Sequence, residues 1–154
     1  AEVCGEILGD SEIAHPDRTF ALATSGELRG VWDRERMAQV VANLVGNAAK
    51  YGEGGAPIAV TVTEAGEGVR LRVHNEGPPI PAEVLPSIFD PFRRGHDHRE
   101  RAESLGLGLY IVSEIVRAHG GTIEAASTAE EGTTFTVTLP RAAPAPRPGD
   151  KPAR

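Results

Sequence analysis

Asn43, Asn47 and Lys50 stand at i, i+4 and i+7, a spacing that puts all three on one stripe of an α-helix. Two carboxamides and an ammonium there offer neutral oxygens to a hard cation and positive charge to a phosphate. A solvated helix edge would carry the same residue types. Two glycine segments follow. Val73–Ile80 (VHNEGPPI) ends a strand on an Asn and a glycine turn, and Ser104–Tyr110 (SLGLGLY) puts glycines where a loop is expected to enter a helix. The free N–H groups and positive dipole end of a helix start form an anion site, although a plain helix cap also explains a lone Gly-x-Gly.

The polar stripe depends on a well-defined helix. Asp33 is a suitable N-cap, and Met37, Val40, Val41, Leu44, Val45 and Ala48 repeat at helical spacing up to about Lys50. These apolar residues form the core face, so Asn43, Asn47 and Lys50 fall on its rim. Upstream, Val3–Ile7 reads as the end of a helix, and Thr19–Thr24 and Leu28–Trp32 read as short strands around a Ser25-Gly26 turn. Ile58–Thr63 and Val69–His74 alternate as a hairpin. A short helix is expected after Pro81, a polar loop over Pro91–Ser104 and an apolar helix over Leu107–Ala118. Strands at Thr122–Ala126 and Thr134–Leu139 flank a Gly132 turn. Hairpins mixed with crossing helices predict an α+β sandwich, a sheet layered against helices on one face.

The order Asn-x-x-x-Asn-x-x-Lys-Tyr, strand-Asn-x-Gly, Phe-x-x-Phe-Arg-Arg, Gly-x-Gly and Gly-Thr resembles the catalytic, ATP-binding domain of two-component sensor histidine kinases. That domain belongs to the superfamily (GHKL) of gyrase-type ATPases, Hsp90 and MutL. Asn43–Tyr51 matches its N box, Val73–Ile80 its G1 box and Ile88–Arg94 its F box; Gly106–Gly108 matches G2, and Gly132–Thr134 the last glycine motif. The resemblance covers residues 1–140 and implies the Bergerat fold, a mixed five-stranded sheet with three helices on one face and a mobile lid over ATP.

Carried onto this sequence, the resemblance makes Asn47 the Mg²⁺ ligand, with Asn43 helping to order metal and phosphates. Lys50 and Arg93 or Arg94 would meet phosphate, as would the backbone of Gly106, Leu107, Gly108 and Leu109. Tyr51, Ile80 and Leu109 would pack around adenine, and Thr133 would support the base through water. Asn75, before the Gly77 turn, replaces the family's usual Asp as acceptor for the adenine amine. The neutral amide makes a weaker bond than a carboxylate, and it can rotate to present a donor. Pro79 stiffens a loop that usually carries a second glycine.

Asn43 also bears on the chemistry. Hydrolysing relatives and anti-sigma serine kinases place a Glu there as general base, whereas an amide cannot take a proton. The resemblance therefore implies phosphoryl transfer from MgATP to a histidine, a nucleophile that needs no strong base. None of the five histidines reads as the phosphoacceptor: His15 precedes Pro16 in a loop and lacks the helical context, His74 sits in a strand, His96 and His98 in the polar loop and His119 at a helix end. The acceptor is expected on a separate dimerisation domain of the same kinase, through which it would form a homodimer, with a response regulator downstream. Two alternatives remain open at this point: a non-catalytic nucleotide-binding scaffold, suggested by the altered G1 box, and an anti-sigma-type serine kinase.

Composition narrows the surroundings. The chain of 154 residues carries 16 Lys+Arg against 22 Asp+Glu, a net charge of -6 that argues against a general nucleic-acid binder. One cysteine, Cys4, excludes an intramolecular disulfide and fits a reducing cytoplasm. No apolar stretch reaches the roughly 18 to 20 residues of a membrane span, so no direct membrane contact is expected, with an anchor elsewhere in a longer protein left open. The chain starts like a fragment of something longer. Residues 141–154, with four prolines and no aliphatic larger than alanine, are expected to form a disordered tail.

Overall fold

The computed structural model describes residues 1–91 and 99–142, side chains of 99–106 excepted. Helix α1 spans Glu2–Ala14, β1 Phe20–Ser25, α2 Arg34–Tyr51, β2 Ile58–Ala65, β3 Gly68–Asn75, α3 Arg99–Ala118, β4 Thr122–Thr128 and β5 Gly132–Pro140. The strands form one mixed sheet in the order β1-β2-β3-β5-β4; β1 and β2 run parallel, and the remaining pairs are antiparallel. α1 packs on α2 and α2 on α3, and this layer covers one face of the sheet.

Strand alternation explains why one face is apolar. Ile58, Val60 and Val62 of β2, Val69, Leu71 and Val73 of β3, and Phe135, Val137 and Leu139 of β5 are all buried. They meet Val40, Val41, Leu44, Val45 and Ala48 from α2, and Leu109, Val112, Ile115 and Val116 from α3. Cys4 and Leu8 of α1, Phe20 of β1 and Ile88 complete this core. Burial pushes the Cys4 thiol up, which leaves little reactive thiolate.

Asp33 caps α2, accepting from the Arg36 N–H at 3.0 Å. His119, just past α3, meets the Ile115 carbonyl through Nδ1 at 2.8 Å and accepts from the Asp33 N–H through Nε2 at 3.3 Å. The end of α3 is thereby tied to the start of α2.

Four sequence expectations are corrected. Leu28–Trp32 is not a strand but a strap across the end of β5: the Val31 N–H donates to the Arg141 carbonyl and the Trp32 indole to the Pro140 carbonyl, both at 2.8 Å. Leu28 and Trp32 pack on the core while Val31 is exposed. The N-terminal helix is a full α1. The helix after Pro81 shrinks to a 3-10 turn at Leu85–Ser87. Finally, α3 starts at Arg99 rather than Leu107, because the Arg, Glu and Ala residues before Ser104 are strong helix formers. The expected tail lies, from 143 onward, outside the described residues.

Leu44 is 0% exposed at the centre of this layer. Leu44→Ala should lower the unfolding free energy by about 3 kcal/mol. Chemical denaturation measures it, and an unchanged midpoint would contradict the packing described.

Candidate nucleotide site

The C-terminal half of α2 supplies the polar stripe. Asn43 is half-buried, and its Nδ2 donates to the Gly108 carbonyl of α3 at 3.4 Å, so the two predicted motifs meet. Asn47 follows one turn later on the same rim, also half-buried. Lys50 is exposed, its Nζ 5.6 Å from the centre of the half-buried Tyr51 ring.

The end of β3 is joined directly to the end of α2. The Glu53 N–H donates to the Glu76 carbonyl at 2.6 Å. Gly77, at φ 140°, makes this approach possible: a Cβ there would lie 2.9 Å from the Glu53 nitrogen and 3.0 Å from the Tyr51 carbonyl. Gly132, at φ 75°, is constrained in the same way, since its Cβ would stand 2.3 Å from the Asn75 carbonyl oxygen.

Beyond the apolar rows, the helix-covered face ends in a polar row. Asn75 pairs with Thr133 across β3 and β5, and Thr133 with Ser127 across β5 and β4. Asn75 and Thr133 are each 5% exposed. Polar groups buried this deeply need partners, and they have them. Asn75 Nδ2 donates to the Glu76 carbonyl at 3.2 Å, Ser127 Oγ lies 2.7 Å from Thr133 Oγ1, and the Ile80 N–H donates to Ser127 Oγ at 2.8 Å.

Arg18 supports the cradle from behind. Its guanidinium donates to the carbonyls of Glu53 at 2.8 Å and Ala48 at 3.3 Å, placing a cation at the negative end of α2. Sequence reasoning missed it, because a lone Arg in a Pro-Asp-Arg loop carries no pattern. Ser127 was missed because the strand was expected to stop at Ala126. A polar residue at the third inward position after Ile123 and Ala125 was the available signal.

Two expectations about the glycine-rich segment are corrected. Gly106 and Gly108 lie inside α3, where each amide faces a carbonyl one turn earlier, so they do not form a helix start. Leu109 is 1% exposed and belongs to the core stripe with Val112 and Val116, whereas Leu107 is half-exposed. Arg93 and Arg94 fall outside the described residues, as do positions 95–98 with His96 and His98. Among the described residues no three His, Cys, Asp or Glu side chains converge on a possible metal position. No described helix is long and apolar enough to cross a membrane.

Residues 32–143, most of the chain, match the family described as histidine kinase-, DNA gyrase B- and HSP90-like ATPases. The chain belongs to this family. It is 43% identical over 109 residues to the signal transduction histidine-protein kinase AfsQ2 of Streptomyces coelicolor, a match covering 71% of this chain and 20% of AfsQ2. The chain thus spans about a fifth of that relative. Among solved structures, the nucleotide-free catalytic domain of the histidine kinase ThkA is 34% identical with a TM-score of 0.77, covering 92% of this chain and 93% of that domain. Full-length ShkA in complex with AMPPNP is 26% identical with a TM-score of 0.75, covering 95% of this chain and 31% of ShkA. The mixed five-stranded sheet with three helices is therefore the fold of histidine kinase catalytic domains.

Gly132→Ala should destabilise the domain by about 2 kcal/mol, combining positive-φ strain with a backbone clash at Asn75. Gly55, at φ 89° with nothing within 4 Å of its Cβ position, is the control and should cost about 1 kcal/mol less on conversion to Ala. Equal thermal shifts would contradict the close approach.

Proposed function

We propose that this chain binds MgATP where α2 meets the end of β3, and presents the γ-phosphoryl group to a histidine of a separate dimerisation domain. The observation that carries the reading is the junction itself. The Glu53–Glu76 bond brings the carboxamide stripe of α2 and the buried Asn75 row to one place.

The donor set suits this ligand. Asn75 Nδ2 is engaged by the Glu76 carbonyl, so the amide is held with Oδ1 as its accepting atom. An acceptor there matches the amino group of adenine and opposes the carbonyl oxygen of guanine. Ile80 lines the base from the following turn, with Gly77 allowing that turn to close on α2. Thr133 supports the base, and Tyr51 packs against it. Asn43, Lys50 and Arg93 or Arg94 serve the phosphates. Asn47 offers a neutral oxygen that fits a hard cation sharing its remaining ligands with phosphate and water. When bound, Mg²⁺ supplies charge neutralisation across the phosphates.

Transfer then rests on positioning and electrostatics. The bond between the γ-phosphorus and the ADP oxygen breaks as one forms to an imidazole nitrogen. With Asn at position 43, the chain supplies no carboxylate base there to activate water or serine. The phosphoacceptor domain, homodimerisation through it, a response regulator downstream and a cytoplasmic location complete the proposal. Residues 1–140 would form the catalytic domain, followed by a Pro-rich tail.

The test is direct. The chain, mixed with labelled ATP, Mg²⁺ and a histidine-bearing dimerisation-domain fragment, should label a histidine on that fragment. Asn47→Asp should lower this rate at least tenfold, because it changes ligand charge and removes the amide donor. Labelling of serine, or no labelling with wild type, would overturn the reading, and an unaffected Asn47→Asp would overturn its metal assignment. Wild type should also bind ATP more tightly than GTP. Asn75→Leu should reduce that preference about tenfold, the value of one hydrogen bond and its alternative left unpaired.

A further inference from the structure

Ser127 carries no role in the nucleotide reading, yet it joins three elements of the site. It is the third inward-facing residue of β4, after Ile123 and Ala125, and stands opposite Thr133 of β5, which in turn stands opposite Asn75 of β3. Its Oγ accepts from the Ile80 N–H at 2.8 Å and lies 2.7 Å from Thr133 Oγ1. A single hydroxyl thus links the turn beside the base to the row that ends in Asn75.

We propose that Ser127 is a positioning residue that sets the direction of this hydroxyl chain and, through Thr133, the base selectivity of the site. The inference rests on the nucleotide reading above. A serine hydroxyl has one proton and two lone pairs. The Ile80 N–H occupies one lone pair and polarises the O–H, making it the better donor of the pair. The chain therefore runs from the Ile80 N–H to Ser127 and from the Ser127 O–H to Thr133 Oγ1. Thr133, having accepted, directs its own proton onward.

Thr133 then acts as a donor beside Asn75, whose Nδ2 is engaged with the Glu76 carbonyl, which leaves Oδ1 to face the base as an acceptor. One donor next to one acceptor matches the adenine edge, with its accepting ring nitrogen and donating amine. Guanine presents the reverse order, a donating ring N–H beside an accepting carbonyl. A bridging water between Thr133 and the base relays the same polarity. Without Ser127 Oγ, the Thr133 hydroxyl turns freely and serves either base.

The experiment is calorimetric titration of non-hydrolysable ATP and GTP analogues, with Mg²⁺, into wild type, Ser127→Ala and Ser127→Thr. Wild type should prefer ATP. Ser127→Ala should reduce the ratio of GTP to ATP dissociation constants about three- to tenfold, the range of a single hydrogen bond. Ser127→Thr, which keeps the hydroxyl and suits a strand, should restore the ratio. An unchanged ratio in Ser127→Ala, even with both affinities lowered, would assign Ser127 a merely structural role and overturn the proposal. A wild type that binds both analogues equally overturns it as well, while one that binds neither overturns the nucleotide reading on which it rests. If Ser127→Ala does not fold, Ser127→Cys makes the same comparison. Its weakly hydrogen-bonding thiol should reproduce the loss of selectivity, and retained selectivity would count against the proposal.

Discussion

The site depends on one backbone contact, the 2.6 Å hydrogen bond from the Glu53 N–H to the Glu76 carbonyl. It fixes the C-terminal end of α2 against the turn that leaves β3. The carboxamide stripe belongs to a helix and the Asn75 row to a sheet, and neither element by itself would set the distance between them. The contact requires that position 77 carry no side chain, because the backbone of Tyr51 to Glu53 fills the space a Cβ would take. Arg18 strengthens the same junction by placing its guanidinium on the carbonyls of Ala48 and Glu53.

Burial and chemistry are divided along the strands. The inward rows through Val69, Leu71 and Val73 supply the hydrophobic stabilisation, roughly 25 cal/mol for each Å² removed from water. The next row, Asn75–Thr133–Ser127, gives up that gain and carries a desolvation cost instead. Its internal hydrogen bonds, with Ile80 and Glu76, offset the cost and give each residue of the row a partner. A satisfied row of this kind at the edge of a core supplies preorganised donors and acceptors, which the proposed reading of a purine base requires.

Much of this was legible in the sequence, for identifiable reasons. The α2 stripe could be read because six apolar residues from Met37 to Ala48 fix the helical phase and place Asn43 and Asn47 on its rim. The β2–β3 hairpin could be read because its alternation is uninterrupted. What escaped was long-range or context-dependent. The apolar residues Leu28, Val31 and Trp32 after the Ser25-Gly26 turn suggested a strand, but they belong to a strap whose bonds run to Pro140 and Arg141, far along the chain. Gly106 and Gly108 suggested a helix start, but the helix formers upstream extend α3 through them. Leu109 joined the core because its spacing to Val112 and Val116 puts it on the buried stripe. Arg18 acts across thirty-odd positions through carbonyl groups, and no local pattern announces such a contact.

The central claim is that α2 and the end of β3 act as one nucleotide cradle. Amide chemical-shift mapping during titration with a non-hydrolysable ATP analogue and Mg²⁺ tests it most directly. The account predicts that the amides of Asn43–Tyr51, of Asn75, Glu76, Gly77 and Ile80, and of Ser127 and Thr133 shift together along one saturation curve. Shifts confined to a single element, or centred on the opposite cleft around Gly68, Gly121 and Leu139, would contradict it.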